Sequence, residues 1–275
     1  MKTEMLEKIV NNAGDRRSFL KRVGATSLGV AAMTMVGGGL AKAVAQETSN
    51  ATGKYISDAE ILNFALNLEY LEAEFYLMST YGTTLVRSGI ISGDDETGPT
   101  TGGRMVNFSG ANISFIASGL RTDEVDHVKY LRTALGSAAV KKPAINLDAL
   151  GYGFASVDDF LKLGRQFEDV GVSAYLGAAP LIHNKAYLAA AGAILATEAQ
   201  HSGSLRMACV WYGVTSPAVD SLDVPPTSTT PFDVDSNGLS IPRTTSQVLK
   251  IVYGGGDCAG GFYPDGMNGK IVCAS

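Results

Sequence analysis

Glu198 and His201 stand three residues apart in the stretch GAILATEAQHSGSLRMACVWYG, which runs from Gly192 to Gly213. Three residues are about 300° of helical turn, so both side chains project from nearly one face. Ile194 and Leu205 share that face, which marks it for burial. An acid and an imidazole are costly to bury there without partners. The stretch TDEVDHVKYL repeats the arrangement, with Glu124 and His127 in a stripe with Leu120, Val128, Leu131 and Leu135. A single such pair is ordinary structural pairing. Two copies use two of the chain's 3 histidines and form a constellation. The remaining one, His183, falls in a turn and reads as a surface or capping residue.

Two further stretches each supply a carboxylate with a tyrosine seven residues on: Glu69 and Tyr76 in EYLEAEFY, Glu168 and Tyr175 in EDVGVSAY. Seven residues are two turns, which sets each tyrosine above its own glutamate. The order along the chain is Glu, Glu-x-x-His, Glu, Glu-x-x-His. Four glutamates in one core repel each other and would be driven to bind protons. Two divalent cations cancel that charge, with two neutral imidazoles completing the coordination. The acids can bridge ions about 3.5–4 Å apart, and each ion gains one terminal histidine.

The elements that must position these residues are helices. Ser57-Asp58-Ala59-Glu60 is a capping box that opens a first helix with the stripe Ile61, Phe64, Leu68, Leu71 and Phe75, ended by Gly82. Residues 82–111, centred on SGDDETGPTTGG, read as a surface excursion with some structure of its own. A second helix spans about 113–135, with Gly136 as its stop. A third starts at Ser156-Val157-Asp158-Asp159 and runs to about 181, where Pro180 and HNK turn the chain. A fourth covers about 185–212. Beyond Val214 the composition shifts to Pro, Ser and Thr, an extended wrap in which SQVLKIVY forms a short fifth helix. No stretch shows convincing period-2 alternation. The fold expected is all-α: a four-helix bundle over 57–213 with a C-terminal extension over 214–275.

The pattern resembles the ferritin-like superfamily, whose bundles hold di-iron or di-manganese sites. The narrower likeness is to the ferritin-like domain family that includes plant desiccation-related proteins and exported bacterial members. LNFALNLEYLEAEFYL and the tail GGFYPDGMNG carry it, as does DEVDH, which resembles the second-helix metal motif of bacterioferritins. Carried over by motif, the implied ligands are Glu69, Glu124, His127, Glu168, Glu198 and His201. Glu124 and either Glu168 or Glu198 are the bridging candidates. Tyr76, Tyr175 and Asp123 would stand behind the ligands, Asp123 serving a histidine of a neighbouring helix, here assigned to His201. Thr197 holds the equivalent place before Glu198, so the two halves are unequal. On the first helix Glu72 lies closer to the centre of the apolar stripe than Glu69. The resemblance and the Tyr76 spacing favour Glu69, with Glu72 as alternative or additional carboxylate. Glu74 is expected to point into solvent.

Oxygen and nitrogen ligands of this kind suit iron, with manganese as the alternative; no haem is expected. Three functions follow: redox chemistry of a dinuclear iron centre with dioxygen or peroxide in stress protection, peroxide dismutation like that of a manganese catalase, or a non-enzymatic stress or desiccation protein whose metal is structural or vestigial. The formal net charge is −5, and no block of Lys or Arg in the body offers a nucleic-acid surface.

The N-terminus is read apart from the fold. Asp15-Arg16-Arg17-Ser18-Phe19-Leu20-Lys21 precedes an apolar stretch and the small-x-small site Ala43-Val44-Ala45. It resembles a twin-arginine export signal over 1–45, followed by a linker over 46–56. The resemblance implies a periplasmic or secreted protein, folded and loaded before export, with no membrane span once the signal is cleaved. In an oxidising compartment Cys258 and Cys273 are expected to pair. Cys209, in the apolar fourth helix, is expected to be a packed free thiol.

Overall fold

The computed structural model describes residues 56–275. The export signal read over 1–45 and nearly all of the 46–56 linker lie outside the described residues. The described chain is mostly helical.

Helix α1, Asp58–Tyr81, starts at the expected capping box: Ser57 Oγ accepts the Glu60 N–H and the Glu60 carboxylate accepts the Ser57 N–H. It ends at Gly82, whose φ of 62° is a left-handed conformation that glycine adopts without strain. Helix α2 is Ser114–Leu135, α3 is Val157–Ala178 behind the N-cap Ser156, and α4 is Lys185–Tyr212 behind the N-cap Asn184. The third helix therefore stops three residues short of 181, and Ala179–Leu181 form a 3-10 turn around Pro180. Helix α5, Thr245–Val252, is the short fifth helix, with a capping box of its own from Thr244 and Gln247.

Cross-helix contacts set the directions. Asn63 meets Ala138, Glu69 meets His127, and Tyr81 meets Arg121, so α1 and α2 run antiparallel. Cys209 reaches Leu161 while Ser202 reaches Asp169, so α3 and α4 run antiparallel. Tyr76 reaches Glu168 and Tyr175 reaches Glu69, so α1 and α3 do too. Helix α3 must then run parallel to α2, and residues 136–156 cross the length of the bundle to start it.

That crossover and the 82–111 excursion together form the one sheet among the described residues. Strand β1, Thr100–Thr101, pairs in parallel with β2, Ile145–Asn146. Strands of two residues are too short to leave an alternating signature, which is why the sequence shows none.

Helix α1 is buried all round, from Ile61 to Ser79. Its outward face is covered by the 82–111 excursion, the crossover and the C-terminal tail. Asn63 donates to Ala138 O and accepts from the Val140 N–H. Asn67 makes the same two-way exchange with the backbone of Asn268, while the Tyr263 hydroxyl donates to Asn67 O. The tail is closed by a Cys258–Cys273 disulfide, and Cys209 is a buried free thiol. Glu74 corrects the sequence reading. It is fully buried, and the Leu85 N–H approaches both its oxygens at 3.3 Å. The excursion folds back over the face that the helical wheel leaves to solvent.

No helix of the described residues is long and apolar enough to cross a membrane.

Candidate metal centre

The four long helices each bring acid or imidazole to mid-bundle. Glu69 comes from α1, Glu124 and His127 from α2, Glu168 from α3, and Glu198 and His201 from α4. All four glutamates are completely buried, and His201 nearly so. Each Glu-x-x-His pair sits within one helix because positions i and i+3 share a face.

The side chains converge tightly. His127 Nδ1 lies 3.1 Å from Glu69 Oε2, 3.3 Å from Glu124 Oε2 and 3.4 Å from Glu198 Oε1. His201 Nδ1 lies 2.9 Å from Glu124 Oε1 and 3.2 Å from Glu168 Oε2. A ring nitrogen carries one proton or one lone pair and can serve one oxygen well. Glu124 Oε1 and both oxygens of Glu198 are buried without any hydrogen bond. Orphaned buried carboxylate oxygens are expensive, and here they cluster where a cation would satisfy them.

Ligand-type atoms form two groups, each within 4.8 Å: Glu69, Glu124, His127 and Glu198 in one, Glu124, Glu168, Glu198 and His201 in the other. Glu124 and Glu198 belong to both, and each group adds one private glutamate and one private histidine. Of the two candidates Glu168 and Glu198, Glu198 is the one present in both groups. Glu72 belongs to neither group, although it is buried beside them.

The charges respond to this crowding. Burial, then Glu69 and Glu168, push Glu124 up to about 7. Burial and the repulsion of Glu124 and Glu168 drive Glu198 well above the ordinary carboxylate range. Burial and Glu198 do the same to Glu72. At Glu69 burial is again the largest influence and works upward, but the bond and charge of His127, with the bonds to Glu124 and Tyr175, together outweigh it and hold the carboxyl low. Burial would lower both histidines, yet the carboxylates around them prevail. His127 is raised, and Glu168 and Glu124 lift His201 to about 12. The cluster has surplus negative charge and holds protons where cations could stand.

The tyrosines are arranged differently from the sequence expectation. Each hydroxyl donates across the bundle: Tyr76 to Glu168 Oε1 and Tyr175 to Glu69 Oε1, both at 2.5 Å. Antiparallel α1 and α3, each with a seven-residue spacing, bring each tyrosine level with the other helix's glutamate. The crossing fixes one oxygen of each private glutamate and leaves Oε2 for the cluster. His201 Nε2 meets Asp123 Oδ2 at 3.1 Å. The position before Glu198 makes no such contact, because the Thr197 hydroxyl donates to Ala193 O in its own helix. His127 Nε2 has no hydrogen-bond partner among the described residues.

Two glycines of α3 belong to the site and were not singled out by motif. A Cβ on Gly171 would lie 2.3 Å from Glu198 Oε2, and one on Gly164 would lie 3.4 Å from the Tyr76 hydroxyl. Glycine inside a helix costs about 1 kcal/mol against alanine, so two of them seven apart and level with Glu168 and Tyr175 were a readable signal.

A third acidic group, Asp169, Asp223 and Asp233, differs in kind. Arg206 Nη1 lies 2.6 Å from Asp169, and Arg165 Nη1 lies 2.7 Å from Asp223. The guanidinium groups already supply its positive charge.

A family model described as a ferritin-like domain matches residues 57–210, more than half the chain. The chain belongs to the ferritin-like domain family. This ferritin-like domain carries buried Glu and His groups that could hold a metal ion. No curated protein matches the chain.

Proposed function

We propose that this ferritin-like domain holds a dinuclear metal centre, with iron as the metal, and uses it for redox chemistry with dioxygen or peroxide in stress protection outside the cytoplasm. One observation carries the reading: two ligand groups share Glu124 and Glu198, and three of the four oxygens of those carboxylates, Glu124 Oε1, Glu198 Oε1 and Glu198 Oε2, are buried without a hydrogen bond. The two shared imidazole nitrogens approach two of them, His201 Nδ1 at Glu124 Oε1 and His127 Nδ1 at Glu198 Oε1, and two cations would satisfy all three.

The chain's own residues have distinct tasks. Glu124 and Glu198 would serve both metal ions. Glu69 with His127, and Glu168 with His201, would each complete one side. The Tyr175 and Tyr76 hydroxyls orient Glu69 and Glu168 from behind by holding Oε1. Asp123 can accept the His201 Nε2 proton, which leaves the Nδ1 lone pair facing the cluster. Burial excludes bulk water. Bound there, a ferrous pair would supply two electrons for the reduction of dioxygen or peroxide.

Nitrogen and oxygen donors without thiolate suit iron and manganese alike. Export by the twin-arginine route would let the cytoplasm set the metal before the folded protein leaves. Elemental analysis of protein purified from its native host tests occupancy and identity together. The expected result is two irons per chain, falling to one or none in Glu198→Ala, and oxygen consumption on exposing the anaerobic ferrous form to air. Manganese in place of iron, with oxygen evolved from peroxide, would replace this reading by catalase-like dismutation. Protein with no transition metal, and no ferrous iron taken up anaerobically, would end it.

A further inference from the structure

Beside the metal cluster, between α1, α3 and the C-terminal extension, lies a cavity of about 550 Å³. That size is usual for a small-molecule site, within the range of about 300–1,000 Å³. Its floor is apolar: Leu68 and Leu71 of α1, Phe167 and Val170 of α3. The extension roofs it with Ile251 and Phe262.

The polar side chains of the lining are engaged, with one exception. Gln166 donates to Pro217 O and accepts from the Tyr152 hydroxyl. Asp220 is held by Arg243, Lys250 by Asp257, and Gln247 accepts the Thr244 N–H. Glu72 lines the same cavity, is 4% exposed, and has no hydrogen-bond or ion-pair partner among the described residues. It stands where the cavity meets the cluster. A Cβ on Gly171 would lie 3.1 Å from Glu72 Oε1 on one side and 2.3 Å from Glu198 Oε2 on the other.

An apolar chamber with one unpartnered acceptor at its inner end has a definite chemical complement. We propose that this cavity binds a small molecule with an apolar body and a single hydroxyl head, the hydroxyl donating to Glu72 and the body lying along Leu68, Leu71, Phe167 and Val170. A carboxyl group offers an acceptor oxygen whether or not it is protonated, so the fit does not depend on its charge. It does not depend on a bound metal either, since Glu72 lies outside both ligand groups. A molecule seated this way presents its head next to Glu198.

The test uses 1-alkanols as probes on the full chain, metal-free and metal-loaded, by titration calorimetry. Saturable binding of one alkanol per chain is expected, tightening roughly fourfold per added methylene, as about 0.8 kcal/mol per CH2 implies, until the chamber is full. 1-Octanol should bind at least about fivefold more tightly than 1-methoxyheptane, which matches its size but has no proton to donate. Glu72→Leu should erase that preference. Val170→Trp, and separately Ala218→Trp at the exposed rim in case the first disturbs folding, should abolish binding. No saturable binding to the wild type, equal affinity for alcohol and ether, or binding that survives both tryptophan variants would overturn the proposal. Because the metal-free arm reads the cavity and iron uptake reads the cluster, failure of one is distinguishable from failure of the other.

Discussion

At the scale of single residues, the centre is governed by competition between protons and cations for the same oxygens. Glu124 is pushed up to about 7 and His201 to about 12, by burial and by neighbouring carboxylates. A cation must displace protons from both, so uptake is linked to pH with a fixed sign. Apparent ferrous affinity should rise from pH 6 to pH 8, about tenfold per unit for each proton displaced, and titrations in buffers of different ionisation enthalpy should show proton release. Affinity that is flat over that range would contradict the arrangement. Gly171 supplies a second prediction at this scale. The atom that a new Cβ meets, Glu198 Oε2, is the free end of a side chain, so Gly171→Ala should move the carboxylate and spare the helix. Thermal stability should hold or rise, since alanine is worth up to about 1 kcal/mol over glycine there, while iron affinity drops at least about tenfold. Loss of folding with no folded, iron-deficient species would show that the glycine serves packing alone.

At the scale of elements, α1 shows how far a helical wheel reaches. Its capping box, its apolar stripe and the placing of Glu69 follow from local spacing, and the same is true of both Glu-x-x-His pairs. Glu74 does not, because what covers it arrives from residues 82–111, far outside any local period. Its burial has a measurable consequence. Burial lifts the Glu74 carboxyl from 4.5 to about 7, against the attraction of Lys142. The folded state therefore binds more protons than the unfolded state between those values, and this group's contribution to stability falls as pH rises from about 4.5 to 7. The full difference is on the order of 3 kcal/mol. Glu74→Gln keeps an acceptor for the Leu85 N–H and removes the titration. Its melting temperature should exceed wild type by several degrees at pH 8, with the gap closing toward pH 5. The crossed tyrosines teach the same lesson. Seven-residue spacing was visible on α1 and on α3, but which glutamate each hydroxyl meets depends on the helices running antiparallel. Direction follows from the crossover, and no residue of α1 or α3 encodes it.

At the scale of the whole molecule, the C-terminal extension is fastened to the bundle by buried charge as well as by apolar contact. Arg165 of α3 is fully buried and grips both oxygens of Asp223 at 2.7 and 2.8 Å, while also donating to Ser216 and to Pro217 O. Arg206 of α4 joins Asp169 to Pro231 O and Val224 O. These guanidinium groups occupy the flank of α3 and α4 away from the cluster, and through residues 216–224 they hold one wall of the cavity in place. Removing one partner of a buried ion pair leaves the other charge stranded, at a cost of about 3–5 kcal/mol. In Asp223→Ala that charge is Arg165, with only the Asp169 contact at 3.4 Å left to balance it. The loss falls on the extension rather than on the metal cluster, whose ligands all come from α1 to α4. Asp223→Ala should therefore become sensitive to limited proteolysis within residues 214–244 and lose alkanol binding, yet still take up iron at the wild-type ratio. If proteolysis is unchanged and the cavity ligand still binds, the extension is held by its apolar contacts and by the tail's grip on α1 at Asn67, and the buried ion pairs serve some other end.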